Sequence, residues 1–176
     1  MRWKTKDISY LFNAPAGVQG DVTRVDESNV EPAQLVALAS VYPSQFGIAM
    51  KYVSGGIQQY GSGGEDAASF AGVLVREAPA QGGALADDQG LAGSPYPKVP
   101  VGLLVRGYVS VVCKAGTPAR GGAVYVQVTA NGGVNPGEFR ADGTDSGNAV
   151  VLSATQAEWA SDGLDASGNC ELRVAR

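Results

Sequence analysis

The chain has 176 residues, a formal net charge of −4 and a hydrophobic fraction of 44%, with a pI near 4.8. That length suits one domain with a real core, and the acidic balance opposes broad binding to nucleic-acid phosphates. The complete lack of histidine removes Ser–His–Asp and Cys–His nucleophile systems, HExxH zinc sites and imidazole pH switches together.

In chain order, residues 1–19 are predicted to form an extended N-terminal arm ahead of a single domain over 20–176. The arm mixes basic and aromatic side chains, among them Arg2, Trp3, Lys4, Lys6, Tyr10 and Phe12. Aromatics of this kind are favoured interface anchors, which makes Arg2, Trp3, Lys4, Tyr10 and Phe12 candidate contacts to a partner or a neighbouring subunit, with packing on the chain's own domain as the alternative. MRWKTKDISYLF has no apolar run of signal-peptide length, and no segment is long enough to span a bilayer.

GDVTRVDES (20–28) reads as a short strand that turns at DESN. EPAQLVALA (31–39), with Asn29 as a possible cap and Pro32 in the first turn, predicts no more than a short helical turn, because its apolar residues leave almost no polar face. FGIAMKYV (46–53), GIQQY (56–60) and ASFAGVLVRE (68–77) read as strands joined by SGG and GSGGED, the last apolar in both directions as a doubly covered strand would be. Residues 78–99 carry no regular pattern and predict a long surface loop.

LLVRGYVSVVC predicts a long strand over 100–113 in which Leu103, Val105, Val109, Val111 and Cys113 share one face. In AGTPARGGAVYVQVTANGG (115–133), Val124, Val126 and Val128 form a core face, leaving Tyr125 and Gln127 opposite as candidates for a second layer or a subunit contact. Strands follow at GEFRA (137–141) and NAVVLSAT (148–155), before AEWASDG and NCELRVAR. Strands at this spacing between 25 glycines and 9 prolines predict an all-β barrel or sandwich. Cys113 and Cys170 alternate with apolar neighbours and read as reduced, buried thiols rather than a disulfide.

Few residues suggest chemistry. Asp87–Asp88, DGTDSG (142–147) and DGLDASGN (162–169) lack both the DxDxDG spacing and the closing glutamate of a calcium loop, and their composition is that of tight turns. There is no GxSxG elbow, and GSGGED lacks the lysine and hydroxyl that close a phosphate-binding loop. No catalytic residue, cofactor or metal is expected. A rival reading is a carbohydrate- or receptor-binding β module using Tyr60, Tyr96 and Trp159.

The segment VRGYVSVVCKAGTPARGGAVYVQV (105–128) resembles the structural cement, or head decoration, proteins of tailed bacteriophages. In those proteins a VRGYV-like strand is followed by a GTP turn, a glycine pair and a VYVRV-like strand. GDVTR (20–24), FGIAMKYVSG (46–55), FAGVLVRE (70–77) and WASDGLDASGNCELRV (159–174) follow the same order. The resemblance implies a jelly-roll-like module made in the bacterial cytoplasm and placed on the outer surface of the virion capsid. Its implied partners are the major capsid protein and further copies of itself, as a homodimer or homotrimer, with no nucleic acid and no membrane.

Overall fold

The computed structural model describes residues 17–36, 43–61, 65–76, 100–145 and 147–175. The candidate arm residues Arg2, Trp3, Lys4, Tyr10 and Phe12, the loop at 78–99, Asp87, Asp88 and Tyr96 all lie outside them. The strands in chain order are β1 (Asn29–Gln34), β2 (Ala49–Val53), β3 (Gly56–Gln59), β4 (Phe70–Val75), β5 (Pro100–Val112), β6 (Val124–Gln127), β7 (Phe139–Arg140), β8 (Ala149–Leu152), β9 (Ala157–Trp159) and β10 (Asn169–Ala175). The only helical elements among the described residues are two 3-10 turns, Val25–Glu27 and Ala67–Ser69. The protein is all-β, as its sequence predicts.

One sheet has seven strands in the order β3-β2-β4-β5-β10-β9, with β1 also paired to β5; a second, three-stranded sheet runs β7-β6-β8. Every ladder is antiparallel. The ring β1-β5-β4-β2-β3 returns on itself through a parallel bridge between Leu35 and Ile57, where the Val36 N–H donates to the Ile57 carbonyl at 2.9 Å. This small barrel encloses Leu35, Ile48, Met50, Ile57, Leu74, Val101, Leu103 and Val105. A larger core lies between the outer face of that barrel, β9–β10 and the small sheet, and holds Phe70, Val73, Leu104, Val109, Val111, Val124, Val126, Phe139, Trp159 and Leu172. β4 is buried along its whole length because it borders both cores, as its two-sided apolar sequence predicts.

Three local expectations need correction. Residues 29–34 form a strand and not the start of a helix: the free edge of β5 pairs with β1 from Asn29 to Gln34. Pro32 fits there because an edge strand can spare an N–H. Residues 20–28 form no strand; Val22 makes a single bridge to Val109 and the chain then enters the 3-10 turn.

The third correction concerns β5. Leu103 and Val105 point into the barrel, whereas Val109, Val111 and Cys113 belong to the other core, so the five residues do not share one face. The ladder to β1 steps from Asn29↔Arg106 to Val30↔Leu104 and leaves Val105 as an extra residue, which is the geometry of a β-bulge. Gly107 follows with φ +128° and lies so close to Ser28 that an added Cβ would fall 2.6 Å from the Ser28 Cα. A side chain of any size is excluded there, and the bulge turns one long strand into the wall of two cores.

Candidate functional site

Surfaces, rather than a cleft with converging reactive groups, dominate the molecule. No cluster of three or more Cys, Asp or Glu residues suited to a metal ion exists among the described residues. No helix there is long and apolar enough to cross a membrane.

The face of the small sheet opposite Val124 and Val126 carries a polar network. Gln127 is fully buried; its Nε2 donates to Asp145 Oδ2 at 2.9 Å and to the Thr129 carbonyl at 2.7 Å. Arg140, paired cross-strand with Tyr125, donates to Gln127 Oε1 and Asp145 Oδ2, each at 2.9 Å, and forms an ion pair with Asp142. Thr144 donates to Asp142, and Asn148 donates to Asp145. Hydrogen bonds from Gln127 and Asn148 hold the Asp145 carboxyl well below the usual carboxylate range. Burial pushes Asp142 up, but Arg140 and Thr144 outweigh it and bring it down. The carboxylates of DGTDSG therefore fold their own loop over the sheet, and that loop is the second layer above Gln127. Tyr125 is half-buried, with its ring against Gly143 and its strand partner Val151 exposed beside it.

DGLDASGN behaves similarly. Asp165 Oδ1 accepts the N–H groups of Ser167 and Asn169, both at 2.8 Å, and Asp162 accepts the Arg120 N–H. The two bonds to Asp165 close the turn, and the one to Asp162 ties it to the distant loop at Arg120. Tyr60 and Trp159 are buried; Tyr60 donates to the Asp66 carbonyl and Trp159 Nε1 donates to the Ala123 carbonyl at 2.9 Å. Neither ring is available to stack on a sugar.

Cys113 and Cys170 are free and buried. The Cys170 thiol beside it draws Cys113 below its ordinary value, while the contact with Cys113 and burial push Cys170 up.

The openings bordered by described residues include two beside β1. A groove of about 540 Å³ lies where β1, β5 and β10 meet at the bulge, bordered by Asp26, Glu27, Arg106 and Arg173. Beside it, Arg24 lies 3.9 Å over the Tyr108 ring and forms an ion pair with Glu171 at 2.8 Å. The second opening, about 340 Å³, separates β1 from the β2–β3 hairpin, with Leu103 and Ile57 at its floor and Glu31, Ala33, Tyr52 and Val53 around it. Sequence reasoning misses it because it depends on β1. The alternation of exposed and apolar residues in NVEPAQL was the available signal.

The comparisons with known proteins agree with this strand-built, surface-dominated molecule. A chain in the solved structure "The capsid of Myoviridae Phage XM1" shares the fold, with a TM-score of 0.59 at 15% identity over 98% of this chain and 97% of that one. No curated protein matches. The model of the structural cement protein family (E217 gp24/Pam3 gp6) matches residues 7–175, and the chain belongs to that phage family.

Proposed function

We propose that this protein acts as a capsid decoration protein, binding the outer surface of an assembled phage head and stabilising the shell by bridging neighbouring capsomers. The family match over residues 7–175 carries the reading. Its direct partner in this proposal is the major capsid protein, and the protein works as a homodimer or homotrimer without catalysis, nucleic acid or membrane. The N-terminal residues Arg2, Trp3, Lys4, Tyr10 and Phe12, together with the face around Tyr125, supply contacts. Gln127 supports that face from beneath.

The physical logic needs no reactive group. A protein that binds the assembled lattice better than its separated subunits shifts the equilibrium toward the shell. A contact of about 1,600 Å² suffices for specific association, and linked copies add avidity when their spacing matches the lattice. Two packed cores in one small module support this reading, because a rigid body transmits load between the surfaces it joins.

The test mixes purified protein with undecorated, expanded heads of the cognate phage. Saturable, stoichiometric binding and a higher disruption temperature are expected. Absence of binding would refute the proposal.

A further inference from the structure

The small sheet ends on an open edge. In the order β7-β6-β8, β8 is the last strand. The Val128 N–H donates to the Asn148 carbonyl at 2.7 Å, and the register runs from Val124↔Leu152 to Gln127↔Ala149. Alternation along an antiparallel pair then turns the backbone groups of Val150 and Leu152 towards β6 and those of Ala149 and Val151 away from it. On that outer side neither Ala149 nor Val151 has a backbone partner among the described residues. Neighbouring edges are covered. The Lys114 N–H donates to the Phe139 carbonyl at 2.9 Å beside β7, the Gly121 N–H donates to the Trp159 carbonyl at 2.8 Å beside β9, and the Leu35–Ile57 bridge closes the barrel.

β8 also lacks what keeps an exposed edge from pairing. Such edges are ordinarily blunted by lysine, proline, a bulge or a covering segment. Residues 146–157 contain no charged residue and no proline, and the β6–β8 ladder runs without a register shift. Both faces of the strand are apolar. Val151 is 50% exposed beside the half-buried Tyr125, and Val150 is half-buried on the other face, next to the fully buried Val126. We propose that β8 pairs antiparallel with β8 of a second copy about a two-fold axis at Val150, joining two small sheets into one of six strands. The inference rests on the reading of the protein as a small homo-oligomer, and it selects the homodimer.

Register and charge favour a second copy as the occupant. About an axis at Val150, Ala149 of each copy lies opposite Val151 of the other, so the outward N–H and C=O groups of both strands meet in four hydrogen bonds. On the core face the row Val126–Val150 continues into the same two residues of the second copy. On the outer face Tyr125 and Val151 continue into Ala149 of the second copy, and cross-strand neighbours of this kind stabilise a sheet. The chain carries a net charge of −4, yet this edge brings no opposed like charges together. Asp145, the nearest charge before it, is already bonded to Gln127, Arg140 and Asn148. The 3-10 turn Ala67–Ser69 bonds to Gln156, past the end of β8, and leaves the Ala149 and Val151 backbone groups open. A self-complementary contact closes at two copies. Because a four-residue strand is a small interface, pairing is weak in solution and gains from the fixed spacing of copies on a shell.

Residue-resolved amide exchange of the full chain across a concentration series, with sedimentation of the same samples, tests the proposal. In the monomer the Ala149 and Val151 N–H groups should exchange freely, while those of Val150 and Leu152 are protected by β6. Where sedimentation shows the dimer, Ala149 and Val151 should slow by about tenfold or more. Val151→Lys should abolish the pairing, and Val151→Thr, which keeps a strand-forming residue, should retain it. Equal exchange at Ala149 and Val151 in monomer and oligomer, or unchanged association in Val151→Lys, would overturn the inference. So would a monomer at every concentration, including one whose two amides slow only on phage heads, since the edge would then belong to a capsid strand. Head binding separates the two readings: if the full chain binds heads and the two amides never slow, only the edge pairing fails.

Discussion

Replacing Gly107 by alanine probes the joint on which both cores depend. The residue sits at φ +128°, and an added Cβ would fall 2.2 Å from Ser28 Oγ and 2.6 Å from Ser28 Cα. Backbone strain alone costs about 1–3 kcal/mol. Ser28 must also move, and its hydroxyl donates to the Arg24 carbonyl at 2.7 Å and accepts the Tyr108 N–H at 3.3 Å. Losing both bonds adds about 2 kcal/mol, at roughly 1 kcal/mol each. Gly133 is the control: its φ is +82°, yet nothing lies within 4 Å of an added Cβ. Urea unfolding should therefore show Gly107→Ala to be less stable than Gly133→Ala by about 2 kcal/mol, with an unchanged m-value. Equal losses in the two variants would refute the argument that the bulge is held by its contact with Ser28.

Two further predictions concern titration and thiol chemistry. Asp142, Asp145 and Glu65 all have folded-state pKa values below their ordinary ones; for Glu65, burial acts upward but hydrogen bonds from Lys51 and the Gly61 N–H prevail. Depressed carboxyl values contribute stability above the unfolded pKa, near 4, and that contribution is lost as pH falls below it. Melting temperatures across pH should accordingly be flat between pH 6 and 8, where no histidine titrates, and should fall below about pH 4; a step near neutrality would contradict this. Alkylation of native protein, read by peptide mass spectrometry, should be slow at both thiols and faster at Cys113, whose thiol is drawn down while that of Cys170 is pushed up. Preferential labelling of Cys170 would contradict it.

Strand existence was legible where burial is one- or two-sided within the strand itself. Val124 and Val126 alternate into the core, and the apolar residues of FAGVLV cover both faces of β4. The character of residues 29–34 was not legible, because their strand state is imposed by the distant partner Pro100–Arg106. The bulge was hidden for a different reason. Gly107 fits either parity, so the sequence Leu103, Val105, Val109, Val111 reads as uninterrupted alternation, and only the neighbouring ladders show the extra residue. DGTDSG was legible as turn chemistry, but the bond from Gln127 to Asp145 spans 18 positions and the one from Arg140 to Gln127 spans 13, and neither partner is marked in the local sequence.

The same long-range dependence explains why the surface was the hardest part to read. A catalytic site announces itself through residue types whose chemistry is rare, whereas an interaction surface is made of ordinary residues brought together by register. Glu31 and Tyr52 acquire a common opening only because β5 pairs with β1 on one edge and, through β4 and β2, carries the β2–β3 hairpin round to the other side. Shifting β1 by one residue would exchange its inward and outward side chains, removing Ala33 from the barrel wall and Glu31 from the rim. The bulge beside Gly107 fixes that register. The shape of that opening is therefore tied to the backbone joint between the two cores.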